Sequence, residues 1–134
     1  MNPAPTPFAW TKFTLAPEMP KTAWPAIINR VVNNGIDPAS GPLPSPAEEI
    51  WSIWPRVGWC HDYALTKRYE LMLRGYDASE CLMAVVQLPD DTYHAVLIVD
   101  GLTLDNLHHD LRPWPQYKPV KIQSAENPDW WAMI

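Results

Sequence analysis

The sequence predicts an α+β fold in which one largely buried helix packs on an antiparallel sheet. Three observations predict it. Apolar residues recur at helical spacing through the first part of the chain, and the period changes to two after residue 80. The strongest helical segment, residues 60–74, has two apolar arcs and one narrow polar stripe, so most of its surface needs cover. The alternating segments that follow are joined by short connections, which suit antiparallel neighbours.

Residues 1–21 hold Pro3, Pro5, Pro7, Pro17 and Pro20 and read as an extended arm, laid over the body by Phe8, Trp10, Phe13 and Leu15. Residues 22–35, TAWPAIINRVVNNG, read as a helix. Pro25 sits in the tolerated first turn, Asn34-Gly35 supplies a left-handed stop, and Trp24, Ile27, Ile28, Val31 and Val32 form the apolar face. Residues 37–46 form a loop. It ends in a second helix start with Ser45 as N-cap, Pro46 next and Glu48 three residues after the serine, and that helix carries Ile50, Trp51, Ile53 and Trp54 until Pro55 stops it.

In the helix over residues 60–74, Cys60, Ala64 and Leu71 share one arc, and Leu65, Tyr69, Met72 and Leu73 cover another. Thr66, Lys67, Glu70 and Arg74 form the polar stripe, with Glu70 and Arg74 spaced for an i,i+4 pair, while Arg68 reaches out to water between the arcs. Gly75 ends the helix. Residues 81–88, 93–99 and 102–107 read as strands, and Asp100-Gly101 is a strong two-residue hairpin signal. The remainder has room for a short strand around residues 120–123 and a tryptophan-anchored tail.

The composition narrows the function classes. A chain of 134 residues suits one domain with its own core. A formal charge of −5 argues against a nucleic-acid binder, which would show a clustered basic face. No apolar run approaches the ~20 residues of a membrane span. The N-terminus MNPAPTPFAW has neither the basic nor the apolar region of a secretory signal, so the expectation is a cytoplasmic protein with Cys60 and Cys81 as reduced thiols. Nothing in the sequence calls for a cofactor or a metal.

The segment GWCHDYA, residues 58–64, places Cys60 in the first turn of the best helix, where the helix dipole and free N–H groups favour a thiolate. A two-residue turn at Asp100-Gly101 pairs Val99 with Leu102. Counting outward, His94 faces Leu107 and Asp105 faces Val96, so His94 and Asp105 stand diagonally on one sheet face, with Cβ atoms roughly 7–8 Å apart or somewhat less. An imidazole and a carboxylate at that separation can share a hydrogen bond. Cysteine, histidine and acid are the parts of a nucleophilic triad: a thiolate, a base, and a group that fixes the tautomer of the base. His61 lies about 100° around the helix from Cys60, and His108 and His109 fall past the strand end, so none of them fits the base role as well.

GWCHDYALTKRYELMLRGY, then HAVLIVDGLTLDNL, then IQSAENPDWW resembles the bacterial transglutaminase-like cysteine proteinases, which carry a Gly-Asp-Cys-Glu-Asp-Tyr-Ala motif followed by His-Ala-Val-Leu and Leu-Asp-Asn-Leu strands. The upstream INRVVNNGI is similar to the family's Asn-containing first helix. The resemblance implies a papain-like/transglutaminase-like core, with Cys60 as nucleophile, His94 as base and Asp105 as orienting acid, and with Asp62 and Tyr63 as structural residues. It implies a cysteine peptidase acting on a protein or peptide. The alternatives are a phage-type lysis enzyme cutting peptide cross-links of peptidoglycan with the same triad, and a non-catalytic binding module on the same fold. One departure stands out: members that process cell-surface adhesins bind calcium through acidic residues flanking the cysteine, and here those positions hold Trp59 and His61.

The plainer readings are an inert core thiol for Cys60, a structural thiol for Cys81 or a disulfide between the two, and a solvated loop in place of a metal site for His108-His109-Asp110. The eight tryptophans are expected to pin proline-rich loops.

Overall fold

The computed structural model describes residues 19–40, 51–127 and 131–134. The proline-rich arm up to residue 18 and the helix start at residues 45–48 lie outside them. A 3-10 turn, Lys21–Ala23, leads into helix α1, Trp24–Gly35. Strand β1, Asp37–Pro38, bridges in parallel to β2, Val57–Gly58, just before helix α2, Cys60–Leu73. Among the described residues, six antiparallel strands follow: β3 Leu82–Gln87, β4 Tyr93–Val99, β5 Leu102–Leu104, β6 Arg112–Pro113, β7 Lys118–Ser124 and β8 Ala132–Met133, in the order β6-β5-β4-β3-β7-β8. No helix among the described residues is long and apolar enough to cross a membrane.

Period-two alternation gives the sheet two apolar faces. On one, Met83, Leu97, Val99 and Leu104 pack with Trp24, Ile28, Val31 and Val32 of α1 and Tyr63, Ala64 and Leu71 of α2. On the other, Ala84, Val86, Val96 and Ile98 are covered by Trp114, Tyr117 and Ile122. The α+β architecture with the cysteine helix on an antiparallel sheet is as the sequence predicts.

Several local expectations are corrected. Residues 51–54 are not helical. Their backbone bonds outward instead: the Ser52 N–H donates to Asp62 Oδ1 at 2.8 Å and the Trp54 N–H to Thr66 Oγ1 at 2.9 Å, with Trp54 at φ 53°. The supposed wet stripe of α2 is buried, for Thr66, Lys67 and Glu70 are inside while Met72 and Leu73 are exposed. Glu70 tolerates burial because the Trp54 indole N–H and Arg74 Nη1 each donate to its carboxylate at 2.6 Å, the latter being the expected i,i+4 pair. Arg68 donates to Gln123 Oε1 at 3.2 Å and is not simply solvated.

Helix α1 ends without a left-handed residue. Ile36 turns extended, with its side chain buried, and leads into β1. Strand β5 stops at Leu104, short of residue 107, because the Asp105 carboxylate captures the Leu107 N–H and bends the chain. At its other end the hairpin is as predicted: Asp100 (φ 55°) and Gly101 (φ 74°) form the turn, and Val99 pairs with Leu102.

Candidate active site

Cys60 is the first residue of α2 and is half-buried. Trp59, in extended conformation, starts the helix: its carbonyl accepts the Asp62 N–H at 2.9 Å, and its own N–H donates to Asp62 Oδ2, also at 2.9 Å. This reciprocal closure puts a carboxylate in the first turn, where the helix dipole favours it. Gly58 is what lets Asp62 approach. A Cβ at residue 58 would lie 3.0 Å from both Asp62 Cβ and Pro55 Cγ, and 3.1 Å from Asp62 Oδ2. Gly58→Ala is therefore expected to destabilise the fold by about 1–3 kcal/mol, the usual cost of overpacking, read as a lowered denaturation midpoint with an unchanged m-value.

His94 and Asp105 arrive on the two arms of the β4–β5 hairpin. The ladder ends at Leu104, yet His94 Nε2 lies 2.6 Å from Asp105 Oδ1, and both side chains are buried. The same Oδ1 accepts the Leu107 N–H at 3.0 Å. Two asparagines of α1 hold this segment from behind. Asn33 Nδ2 donates to the carbonyls of Asp105 and His108 at 2.9 and 3.0 Å, and Asn29 Nδ2 to those of His108 and His109 at 2.9 and 3.0 Å. The His94 and Tyr117 rings make a T-shaped contact, at 6.4 Å between centroids. Cys60 Sγ accepts the Ala95 N–H at 3.4 Å, so the sulfur sits against β4 beside His94.

Charge in this cluster is strongly perturbed. Burial alone would raise the Cys60 pKa, but hydrogen bonds from His61, His94 and the Ala95 N–H outweigh it and draw it down to about 6. Burial would lower that of His94, and its bonds to Asp105 and Cys60 instead lift it to about 9. Asp105 is held below the usual carboxylate range against its own burial, by the His94 bond, the Leu107 N–H and the charge of Lys67. Between those limits the favoured form is a thiolate facing an imidazolium whose Nε2–H donates to a carboxylate.

Thus the structure brings Cys60, His94 and Asp105 together. It leaves out Cys81, a free and fully buried thiol that burial and the Glu80 charge push up to about 11. His108 pairs its Nε2 with the Tyr117 hydroxyl at 3.1 Å, and His109 is exposed.

Three groups near the cluster escaped the sequence reading. Asn29 and Asn33 are one helical turn apart on α1, and that spacing was the available signal. Lys67 is wholly buried with no hydrogen-bond partner for Nζ among the described residues. Burial lowers its pKa to about 7, opposed by the Asp105 charge. The third is His61, buried in the first turn of α2 and stacked on Trp51 with ring centroids 5.0 Å apart.

A sequence profile of the bacterial transglutaminase-like cysteine proteinases matches residues 6–134. The chain belongs to this family. It is accordingly a cysteine proteinase, with a protein or peptide as its class of substrate. A comparison with curated proteins finds no match. Among solved structures, Legionella pneumophila LapG is similar at TM-score 0.74 and 20% identity, over 93% of this chain and 76% of that one. Its calcium-bound form gives 0.72 and 21%, over 88% and 74%. The EGTA-treated form gives 0.70 and 18%, over 94% and 74%. The proteinase chain thus shares the transglutaminase-like fold of LapG.

Proposed function

We propose that this cysteine proteinase cleaves its substrate with Cys60 as nucleophile, His94 as general base and acid, and Asp105 as the group that orients and charges His94. The observation that carries the reading is the 2.6 Å contact of His94 Nε2 with buried Asp105 Oδ1, which leaves the other ring nitrogen for the sulfur. The Cys60 thiolate attacks the scissile carbonyl carbon. The oxyanion that forms is stabilised by the Cys60 backbone N–H, which at the first helical position has no intrahelical acceptor. His94 passes its proton to the leaving amine as the C–N bond breaks, leaving a thioester. His94 then takes a proton from water, the hydroxide adds to the thioester carbonyl, and the acid is released as the C–S bond breaks. A hollow of about 370 Å³, bordered by Gln87, Asp91, Gln116, Tyr117 and Lys118, shares with the cluster the Tyr117 ring that contacts His94.

The pH profile tests this reading. The reactive ion pair needs Cys60 deprotonated and His94 protonated, so kcat/KM should rise through about pH 6 and fall through about pH 9. A flat profile between pH 5 and pH 10 (limits set about one unit outside those two values) would contradict the ion pair. The lytic reading, with peptidoglycan peptides as substrate, has no observation of its own in the site. The binding-module alternative gives way to the family assignment.

Calcium does not fit the donors around Cys60 among the described residues. It wants roughly 6–8 oxygen ligands, and the residues flanking Cys60 are a tryptophan and a histidine. Both Asp62 oxygens already accept backbone N–H groups, from Ser52 and Trp59. Excess EGTA should leave melting temperature and peptide hydrolysis unchanged, and added calcium should raise neither. Loss of activity on chelation, restored by calcium and not by magnesium, would overturn this expectation.

A further inference from the structure

Asp105 holds His94 at one ring nitrogen, at 2.6 Å. A histidine ring fixed at Cβ and at one hydrogen bond keeps some swing about χ2, a torsion with broad minima. The second contact on the ring comes from Tyr117, whose plane stands at 87° to that of His94 with the centroids 6.4 Å apart. Tyr117 lies in the connection between β6 and β7, so no regular element fixes its direction. His108 does so instead, for its Nε2 is 3.1 Å from the Tyr117 hydroxyl.

His108 is itself anchored through its backbone. Its N–H donates to the Asp105 carbonyl at 3.3 Å, and its carbonyl accepts Asn29 Nδ2 and Asn33 Nδ2 from α1 at 2.9 and 3.0 Å. The contacts therefore close on themselves. Asp105 meets His94 Nε2, and three residues further along the same backbone supplies the imidazole that holds Tyr117 against the His94 ring. One short segment, residues 105–108, grips His94 at two places.

We propose that His108 and Tyr117 are positioning residues of this proteinase: their hydrogen bond braces the His94 ring so that the nitrogen not bound to Asp105 stays aimed at the Cys60 sulfur. This role presupposes the Cys60–His94–Asp105 triad. Every proton transfer of the triad passes through that one nitrogen, and a misplacement of about 1 Å can cost on the order of 10²-fold in rate. Tyr117 has two plainer roles. It covers the sheet face of Ala84, Val86, Val96 and Ile98, and it borders the 370 Å³ hollow. Neither of these needs a hydroxyl bonded to His108.

Steady-state hydrolysis of a quenched fluorogenic peptide, chosen from a random-sequence library by wild-type cleavage, separates the roles. Tyr117→Phe keeps the ring and removes the bond. His108→Leu removes the same bond from the other side and leaves the backbone contacts of residue 108 in place. Each should lower kcat by about three- to tenfold, the range of one hydrogen bond, with KM within about twofold of wild type. The double variant should fall no further than the slower single, because both changes break one bond. His108→Gln, which offers the hydroxyl both a donor and an acceptor, should restore kcat to within about twofold.

An unchanged kcat in either folded single variant would overturn the proposal. So would losses that multiply in the double variant, or a His108→Gln no better than His108→Leu. A raised KM at constant kcat would make Tyr117 a wall of the substrate site and overturn it equally. Cys60→Ala, measured alongside, keeps two failures apart. Turnover retained without the sulfur would sink the triad itself, whereas an inactive Cys60→Ala beside unaffected His108 and Tyr117 variants removes only the brace.

Discussion

Asp105→Asn should cut turnover by roughly 10²–10⁴-fold in a protein that still folds, and Cys60→Ala should abolish it. The asparagine carbonyl can accept from both the His94 ring and the Leu107 N–H, so the geometry around Oδ1 survives. What disappears is the negative charge that favours the His94 imidazolium and faces buried Lys67. The loss therefore measures the carboxylate as a charge. Steady-state hydrolysis of a peptide substrate, with circular dichroism as the folding control, makes the measurement. Near-normal turnover in Asp105→Asn would show that another group orients His94.

Cys60 should react with iodoacetamide at pH 6 on the order of several hundred times faster than Cys81. About half of Cys60 is thiolate there, against roughly one part in 10⁵ for a thiol held near about 11. The lower intrinsic nucleophilicity of the more acidic thiolate removes about two of those orders of magnitude. Full burial of Cys81 slows it further. Peptide mapping of each alkylated cysteine against time gives both rates. Comparable rates would make Cys60 an ordinary thiol.

The parts of the site that local rules govern were legible in the sequence. Asp100-Gly101 has one favoured turn geometry, and that turn sets the register that carries His94 toward Asp105. Helix α2 was legible because Gly58 and Gly75 bracket an apolar period, which places Cys60 at its start. The misreadings share a physical cause, which is that burial was judged from residue type alone. Lys67, Thr66 and Glu70 look like a wet stripe until Trp54 and Asp105 supply partners or countercharge from distant segments. Asn29 and Asn33 meet the chain carrying Asp105 across more than seventy residues, a contact that no local period reports.

The measurement that bears most directly on the central claim is labelling of the native protein with a peptidyl electrophile, such as a peptidyl chloromethyl ketone, followed by intact-mass and peptide mapping. One adduct per chain is expected, on Cys60, formed rapidly near neutral pH and lost in His94→Ala, with Cys81 untouched. No adduct on Cys60, or labelling of Cys60 that is indifferent to His94, would contradict it.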